Sequence, residues 1–382
     1  MPAIAIARRA ALAVVLAALA ALPALAQEGS VGIVEKKVFA MPAYTTVGNQ
    51  TIREVKVGWE SYGQLNAARD NVVVVPHFFT ANSHAAGKYK TDDAAPGYWD
   101  AIIGPGKPID TSRFYVVSVD SLVNLNVKDP NTTTTGPATI NPETGKPWAM
   151  SFPIVTMRDF VNVQKALLDS LGVTRVHAAV GASMGALQSL EWAAAYPDFV
   201  QRVVPVIGGA EADAWVIEKA ELWGQAITLD PNWNGGDYYD RGGILPTLTR
   251  QRIDTLKLYG IEQQLAADFP DAAAREAEIV RQAEAWARVF DANSLVVLRR
   301  ASNRFDVTGR LDRIRARILY VLSRTDRIFP PRFAAEFMPM FKRAGLDAEY
   351  IELDTELGHS CGPVEAPQWE AALRRFMAGL GG

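Results

Sequence analysis

Val176-His177-Ala178-Ala179-Val180-Gly181-Ala182-Ser183-Met184-Gly185 is the stretch that decides the fold. An apolar run leads into Gly-x-Ser-x-Gly, and the run from Ala186 to Tyr196 that follows favours a helix. Strand, sharp turn with serine at its apex, then helix is the setting of a nucleophile elbow. The small residues on both sides suit a serine held in a crowded backbone conformation. Such a turn presents the hydroxyl at the carboxyl edge of a parallel sheet, within reach of a base. A glycine-bounded turn with a capping serine is the plainer alternative, and the rest of the chain decides between them.

Working outward, apolar and β-branched runs recur at Val72–Val75, Phe114–Val119, Val176–Val180, Val203–Ile207, Ile318–Leu322 and Tyr350–Leu353. Continuous runs of this length suit strands covered on both faces, joined by crossover helices. Phe160, Val163, Leu167, Leu168 and Leu171 share one helical face, and Gly172 closes that helix. The fold class is therefore α/β, a mostly parallel central sheet of the α/β-hydrolase kind. From Glu211 to Asp306 the alternation breaks down. Helical stretches such as Ala272 to Val289 replace it, with the turn-rich Asp230-Pro231-Asn232-Trp233-Asn234-Gly235-Gly236 between them and the next strand-like run only at Leu295–Leu298. We expect core at 27–210 and 307–382, and at 211–306 a helical insertion acting as a lid or, failing that, a plain surface addition.

The chain has 382 residues, 49% apolar and 21% charged, with a net charge of −3. Those values suit a globular protein with a large core, and no basic stripe points to nucleic acid. Arg8 and Arg9 precede an apolar stretch from Ala10 to Leu22, and Ala24-Leu25-Ala26 supplies small residues for cleavage. Residues 1–26 thus read as a secretory signal peptide, with an uncleaved anchor as the alternative, and the mature protein as exported to the periplasm or beyond. The single cysteine, Cys361, excludes an intrachain disulfide. It lies two residues from His359, so a thiol nucleophile enters as a minor alternative.

A serine hydroxyl needs a base, and the base needs an orienting acid. There are four histidines: His77, His84, His177 and His359. His177 falls within the strand before the elbow, and His77 and His84 flank the loop after an early strand. Only His359 comes late enough for the order nucleophile, acid, histidine. Asp326, after the Ile318–Leu322 strand, is the expected acid, with Asp354 as the alternative. Backbone N–H groups of Met184 and Phe79 are expected to form the oxyanion hole, with Phe78 as the nearest competitor for Phe79. No histidine or cysteine spacing suggests a metal site, and no cofactor is expected. Trp223, Trp233, Tyr238 and Tyr239 hint at an aromatic pocket wall, although core packing explains them as well.

Several segments carry a more specific signal. Ile103-Gly-Pro-Gly-Lys-Pro-Ile-Asp-Thr111, Thr135-Gly-Pro-Ala-Thr-Ile-Asn-Pro-Glu-Thr-Gly145 and Phe152-Pro-Ile-Val-Thr-Met-Arg-Asp159 resemble homoserine O-acetyltransferases. So do Val180 to Tyr196, Asp230-Pro-Asn-Trp-Asn-Gly-Gly-Asp-Tyr238 and Phe290-Asp-Ala-Asn-Ser294. The resemblance implies an α/β-hydrolase fold with a helical lid, a Ser-Asp-His triad at Ser183, Asp326 and His359, double displacement, and a homodimer through the lid. Departures also stand out. The family's carboxylate-binding arginine is replaced by Gly224, and the aspartate after its catalytic histidine by Ser360; Ala182 and Ala186 occupy usual glycine positions. The two ionic anchors that are absent would be charge-assisted, worth about 1.5–3 kcal/mol each. These departures and the export signal favour an esterase acting on a small-molecule, acetyl-type ester through an acyl-Ser183 intermediate. The alternatives are an O-acyltransferase related to the family and a non-catalytic binding protein on the same scaffold.

Overall fold

The computed structural model describes residues 29–379, so the proposed signal segment lies outside the described residues. Eight strands form one sheet: β1 (Lys37–Thr45), β2 (Thr51–Tyr62), β3 (Val72–Pro76), β4 (Tyr115–Val119), β5 (Val176–Ala182), β6 (Arg202–Val206), β7 (Arg317–Ser323) and β8 (Ala348–Leu353). Their spatial order is β1-β2-β4-β3-β5-β6-β7-β8. β2 runs antiparallel to both of its neighbours; every other pairing is parallel. The inner strands carry valine, isoleucine and alanine on both faces because helices cover both, and all of β3 is buried.

β1 and β2 are the strands without a continuous apolar run. They form a hairpin at the sheet edge: in β1 only Tyr44 is buried, and in β2 charged side chains break up the buried positions as far as Lys56, beyond which the strand is largely buried. On the flanks lie α1 (Met157–Ser170), α2 (Met184–Ala195) and, later in the chain, two C-terminal helices described below. The core has two parts, one on each side of the sheet. One polar group stands out within it. Glu191 of α2 is buried and accepts from Nη1 and Nη2 of Arg310, at 2.9 and 2.8 Å, and from Arg158.

Between β6 and β7 come five helices: α3 (Ala214–Thr228), α4 (Leu245–Leu258), α5 (Ile261–Gln264), α6 (Ala272–Val289) and α7 (Ala292–Asn303). The strand-like run Leu295–Leu298 is the middle of α7. Every residue from Ala292 to Leu298 is buried, so the helix has no polar face there to reveal its period. Asp291 caps it by accepting the Ser294 N–H at 2.7 Å. The two ends of this helical segment meet. Glu211 and Asp306 form an antiparallel bridge, Ala212 N–H donates to the Phe305 carbonyl at 3.0 Å, and Val307 N–H to that of Ala210 at 2.9 Å. After β7 come α8 (Arg332–Arg343) and, at the end, α9 (Ala366–Ala378). Among the described residues no helix is long and apolar enough to cross a membrane.

Candidate active site

Ser183 sits between β5 and α2 with φ 54° and ψ −119°, a conformation that side chains normally avoid. Its surroundings explain how the chain tolerates it. A Cβ on Gly181 would stand 2.3 Å from the Gly185 carbonyl oxygen, and one on Gly185 2.3 Å from that of Pro76. Strand, turn and helix therefore approach more closely than any larger residue permits. The Ser183 N–H donates to the Val206 carbonyl at 2.9 Å, and its own carbonyl accepts from Ala186 at 2.8 Å, so both backbone groups are fixed.

Ser183 Oγ lies 2.9 Å from His359 Nε2, and His359 Nδ1 lies 2.8 Å from Asp326 Oδ2. Three elements separated widely in sequence thus form one hydrogen-bonded chain. Asp326 is buried, and its other oxygen accepts the N–H groups of Ile328 at 2.7 Å and Phe329 at 3.2 Å. With Oδ1 occupied by two donors, Oδ2 faces the imidazole, so Nδ1 carries a proton and Nε2 is left to accept one. His359 stands on the turn Gly358–Ser360. Gly358 adopts φ 56° there, and its N–H donates to Thr325 Oγ1 at 3.1 Å, tying the histidine turn to the loop that carries Asp326. The rings of Tyr259 and Phe329 flank the imidazole at 4.8 and 5.7 Å.

Asp354, the alternative acid, is exposed and paired with Arg324 at 2.6 Å. Cys361 is fully buried, and burial pushes its thiol up to about 12, so no thiolate is available. His177 donates from Nε2 to the Met377 carbonyl at 2.8 Å on the far side of the sheet. His84 pairs with the buried Glu60 at 3.1 Å. The remaining histidine, His77, is buried and held neutral by desolvation. Its Nδ1–H donates to the Phe78 carbonyl at 2.8 Å and its Nε2 accepts the Ser121 N–H at 3.0 Å. It anchors the loop that carries Phe79.

That loop is secured from beneath as well. Asp120 accepts the Ser83 N–H at 2.7 Å, and Tyr62 Oη accepts those of Ala85 and Ala86 at 3.0 and 3.1 Å. Phe78 packs against Tyr98 and, like Phe79, borders a cleft that reaches Ser183, and Met184 borders one as well. Among the described residues neither the Phe79 nor the Met184 N–H has a hydrogen-bond acceptor. Two donors beside a serine are what a developing oxyanion requires.

Ser183 and His359 lie where two clefts meet. One runs under α3, α4, α6 and α7; the other runs toward α4 and α5. Of the four aromatics singled out in the sequence, Trp223 alone lines either of these two clefts. Trp233 donates to Asn293 at 2.8 Å, Tyr238 bonds to Asp291, and Tyr239 accepts from Asn293 at 3.1 Å, all fastening a turn to α7. Trp215, Trp286, Tyr259, Arg252 and Arg299 line the first cleft without having announced themselves in the sequence. Gly224 faces a separate small recess, and Ser360 Oγ donates to the Tyr259 carbonyl at 3.3 Å. No group of three or more His, Cys, Asp or Glu side chains among the described residues is placed to hold a metal ion.

Residues 134–343 match the model of the alpha/beta hydrolase fold family. The homoserine O-acetyltransferase of Symbiobacterium thermophilum is 36% identical over 353 residues, covering 87% of this chain and 91% of its own. Among solved structures, esterase E22 superposes with a TM-score of 0.86 at 41% identity, over 90% of this chain and all of that one. The homoserine O-acetyltransferase from Bacillus anthracis gives the same TM-score at 32% identity, over 90% of this chain and 98% of that one. A single fold thus carries both names among its relatives, acyl transfer and ester hydrolysis. This chain is an α/β-hydrolase-fold enzyme and belongs to the homoserine O-acetyltransferase family.

Proposed function

We propose that the protein transfers an acyl group from a small-molecule ester or thioester to a hydroxyl acceptor through an acyl-Ser183 intermediate, as an O-acyltransferase related to its curated relatives. The observation that carries this reading is the chain Ser183–His359–Asp326, with hydrogen bonds of 2.9 and 2.8 Å, at the meeting point of two clefts. His359 Nε2 takes the Ser183 proton as Oγ attacks the carbonyl carbon, and Asp326 stabilises the imidazolium formed. The N–H groups of Met184 and Phe79 hold the oxyanion. Collapse breaks the bond to the leaving group, which departs with the proton from Nε2. An acceptor hydroxyl then attacks the acyl-serine and gives its proton to Nε2; as the acyl–Oγ bond breaks and the new ester leaves, Nε2 returns that proton to Oγ and restores Ser183.

Hydrolysis, with water as the acceptor, is the second reading. The 41% identity to esterase E22 favours it, as do Gly224 and Ser360, which offer no charge to an amino-acid acceptor. The two share every step up to the acyl-enzyme. The test is 4-nitrophenyl acetate turnover by the wild type and Ser183→Ala, with and without homoserine. A burst of nitrophenol, an acetylated Ser183 peptide and an acetyl ester of homoserine support transfer. The same burst with only free acetate assigns hydrolysis, and equal rates in both proteins exclude Ser183 as nucleophile.

The reading includes two further expectations. Leu222 and Leu229, 50% and 78% exposed at the helical insertion, supply an apolar face for a homodimer, which sedimentation of the mature protein tests. Cleavage after Ala26 and export are tested by N-terminal sequencing of the periplasmic fraction.

A further inference from the structure

Val123, in the turn after β4, has φ 69°. A β-branched residue avoids that region, and such strain persists only where the surroundings impose it, often beside an active site. Here the surroundings do impose it. Val123 is fully buried, its N–H donates to the Thr135 carbonyl at 3.0 Å, and its carbonyl accepts from Ser121 Oγ at 2.6 Å. Thr134 Oγ1 in turn donates to the Ser121 carbonyl at 2.8 Å. Residues 121–126 are therefore a fixed turn, and it presents two carboxamides to the loop that carries Phe79.

Asn124 is buried; its Nδ2 donates to the Ala81 carbonyl at 3.0 Å and lies 3.3 Å from His77 Nε2. Its Oδ1 accepts the Asn126 N–H at 2.8 Å, which fixes the second carboxamide, and Asn126 Nδ2 donates to the Thr80 carbonyl at 3.2 Å. The Phe78 carbonyl is taken as well, by His77 Nδ1–H at 2.8 Å and the Ala81 N–H at 3.0 Å. Phe79 is thus bracketed by occupied carbonyls at 78, 80 and 81, which leaves the backbone on either side of it little freedom to turn. The ties from Asp120 and Tyr62 begin only at Ser83, four residues further on.

We propose that Asn124 is a positioning residue for the reaction at Ser183: it borders neither cleft, and acts by holding the Phe79 N–H where the oxyanion develops. The proposal rests on the acyl-Ser183 reading and on Phe79 as one of the two donors. Donors fixed in advance are effective because they need not move as charge builds on the carbonyl oxygen. Removing such a donor costs about 10²–10³ in kcat, so a donor that stays but loses its aim should cost about ten- to thirty-fold. The strained turn at Val123 is the means by which the sheet edge supplies that aim.

Asn124→Ala is the test. Acylation by 4-nitrophenyl acetate, followed in single turnover per titrated site, is expected to slow by about ten- to thirty-fold with KM within about two-fold of the wild type. A trifluoromethyl ketone forms a hemiketal with Ser183 whose oxyanion needs the same donors, so its inhibition constant should rise by a like factor. The pH at which kcat/KM is half-maximal belongs to His359 and should not move. Asn126→Ala keeps the Ala81 bond and loses only the one to Thr80. It should show the same pattern at about three-fold, and it carries the test if Asn124→Ala does not fold. Hydrogen exchange across residues 77–86 needs no turnover and should quicken in both variants. Unchanged exchange would overturn the proposal, and so would faster exchange with acylation and ketone affinity within about two-fold of the wild type. A shifted pH midpoint would also overturn it, by placing the effect on His359. Turnover surviving in Ser183→Ala, while exchange still quickens in Asn124→Ala, would sink the acyl-serine reading and leave Asn124 as the tie of this loop.

Discussion

Replacing Asp326 with asparagine tests the site through one choice forced on the new amide. Oδ1 of Asp326 accepts two buried N–H groups, from Ile328 and Phe329, while Oδ2 faces His359 Nδ1. Asparagine has one oxygen and one NH2 group for these two places. With the oxygen toward the backbone donors it keeps both bonds, and its NH2 then donates to Nδ1. With the oxygen toward the histidine it sets NH2 against two N–H groups and forfeits two buried bonds, at about 1 kcal/mol or more each. The first arrangement wins by about 2 kcal/mol or more, a preference of roughly thirty-fold. It moves the imidazole proton from Nδ1 to Nε2, where His359 donates toward Ser183 and can no longer accept its proton. Serine hydrolases with the wrong tautomer lose about 10⁴ in kcat, equivalent to about 5.4 kcal/mol of transition-state stabilisation. The loss should appear in the pre-steady-state release of nitrophenol from 4-nitrophenyl acetate. Unfolding stability should fall by less than about 2 kcal/mol, because the loop keeps its hydrogen bonds. Asp354→Asn, at an exposed position, should stay within about two-fold of the wild type. Activity of Asp326→Asn within about ten-fold of the wild type would refute this reasoning, and a large loss in Asp354→Asn would move the acid there.

Gly185→Ala places a methyl 2.3 Å from the Pro76 carbonyl oxygen, so elbow and β3 must separate by about 1 Å to reach ordinary van der Waals distance. We expect a stability loss of about 1–3 kcal/mol in urea unfolding and a fall of about 10²-fold in kcat, since the displaced groups carry the nucleophile and the oxyanion loop. Glu191→Gln removes the negative charge between Arg158 and Arg310; both guanidiniums retain some exposure, 31% and 28%, so the loss should be about 2 kcal/mol, below that of a fully enclosed pair. Desolvation holds His177 at about 4, whereas an unfolded chain titrates near 6.5. Its contribution is therefore present above pH 6.5 and lost as pH falls toward 4, at most about 3 kcal/mol. Denaturant unfolding at pH 7, 5 and 4 should show that slope, and His177→Gln should flatten it.

Some of this architecture is visible in the chain because the cause is local. Gly181, Ser183 and Gly185 are a steric requirement of one tight turn, and the inner strands are apolar throughout because helices bury both faces. The chain order of Ser183, Asp326 and His359 follows from the same sheet, and those three are the side chains that meet. Other features have no local cause. The β1–β2 hairpin lies at an edge, where charged residues break up any apolar run. Leu295–Leu298 reads as strand because complete burial removes the helical period. Arg252 and Arg299 lie on different helices, and nothing in the residues around either one signals a buried cation facing the serine. Only the packing of α4 and α7 over the sheet brings them to one cleft.

The bridge between Glu211 and Asp306 has a consequence for how this enzyme can change. Because the helical segment leaves the sheet and returns to it at one clasp, its ends stay fixed whatever lies between them, and altering its length carries only a slowly growing entropic penalty. The residues that line the clefts from α3, α4, α6 and α7 all belong to this segment, whereas Ser183, Asp326 and His359 do not. Much of the cleft wall and the reacting side chains are thus inherited on separate stretches of the chain. Grafting the segment of a relative between Ala212 and Phe305 should exchange one preference for another as a cassette, with the nucleophile, its base and its acid left in place.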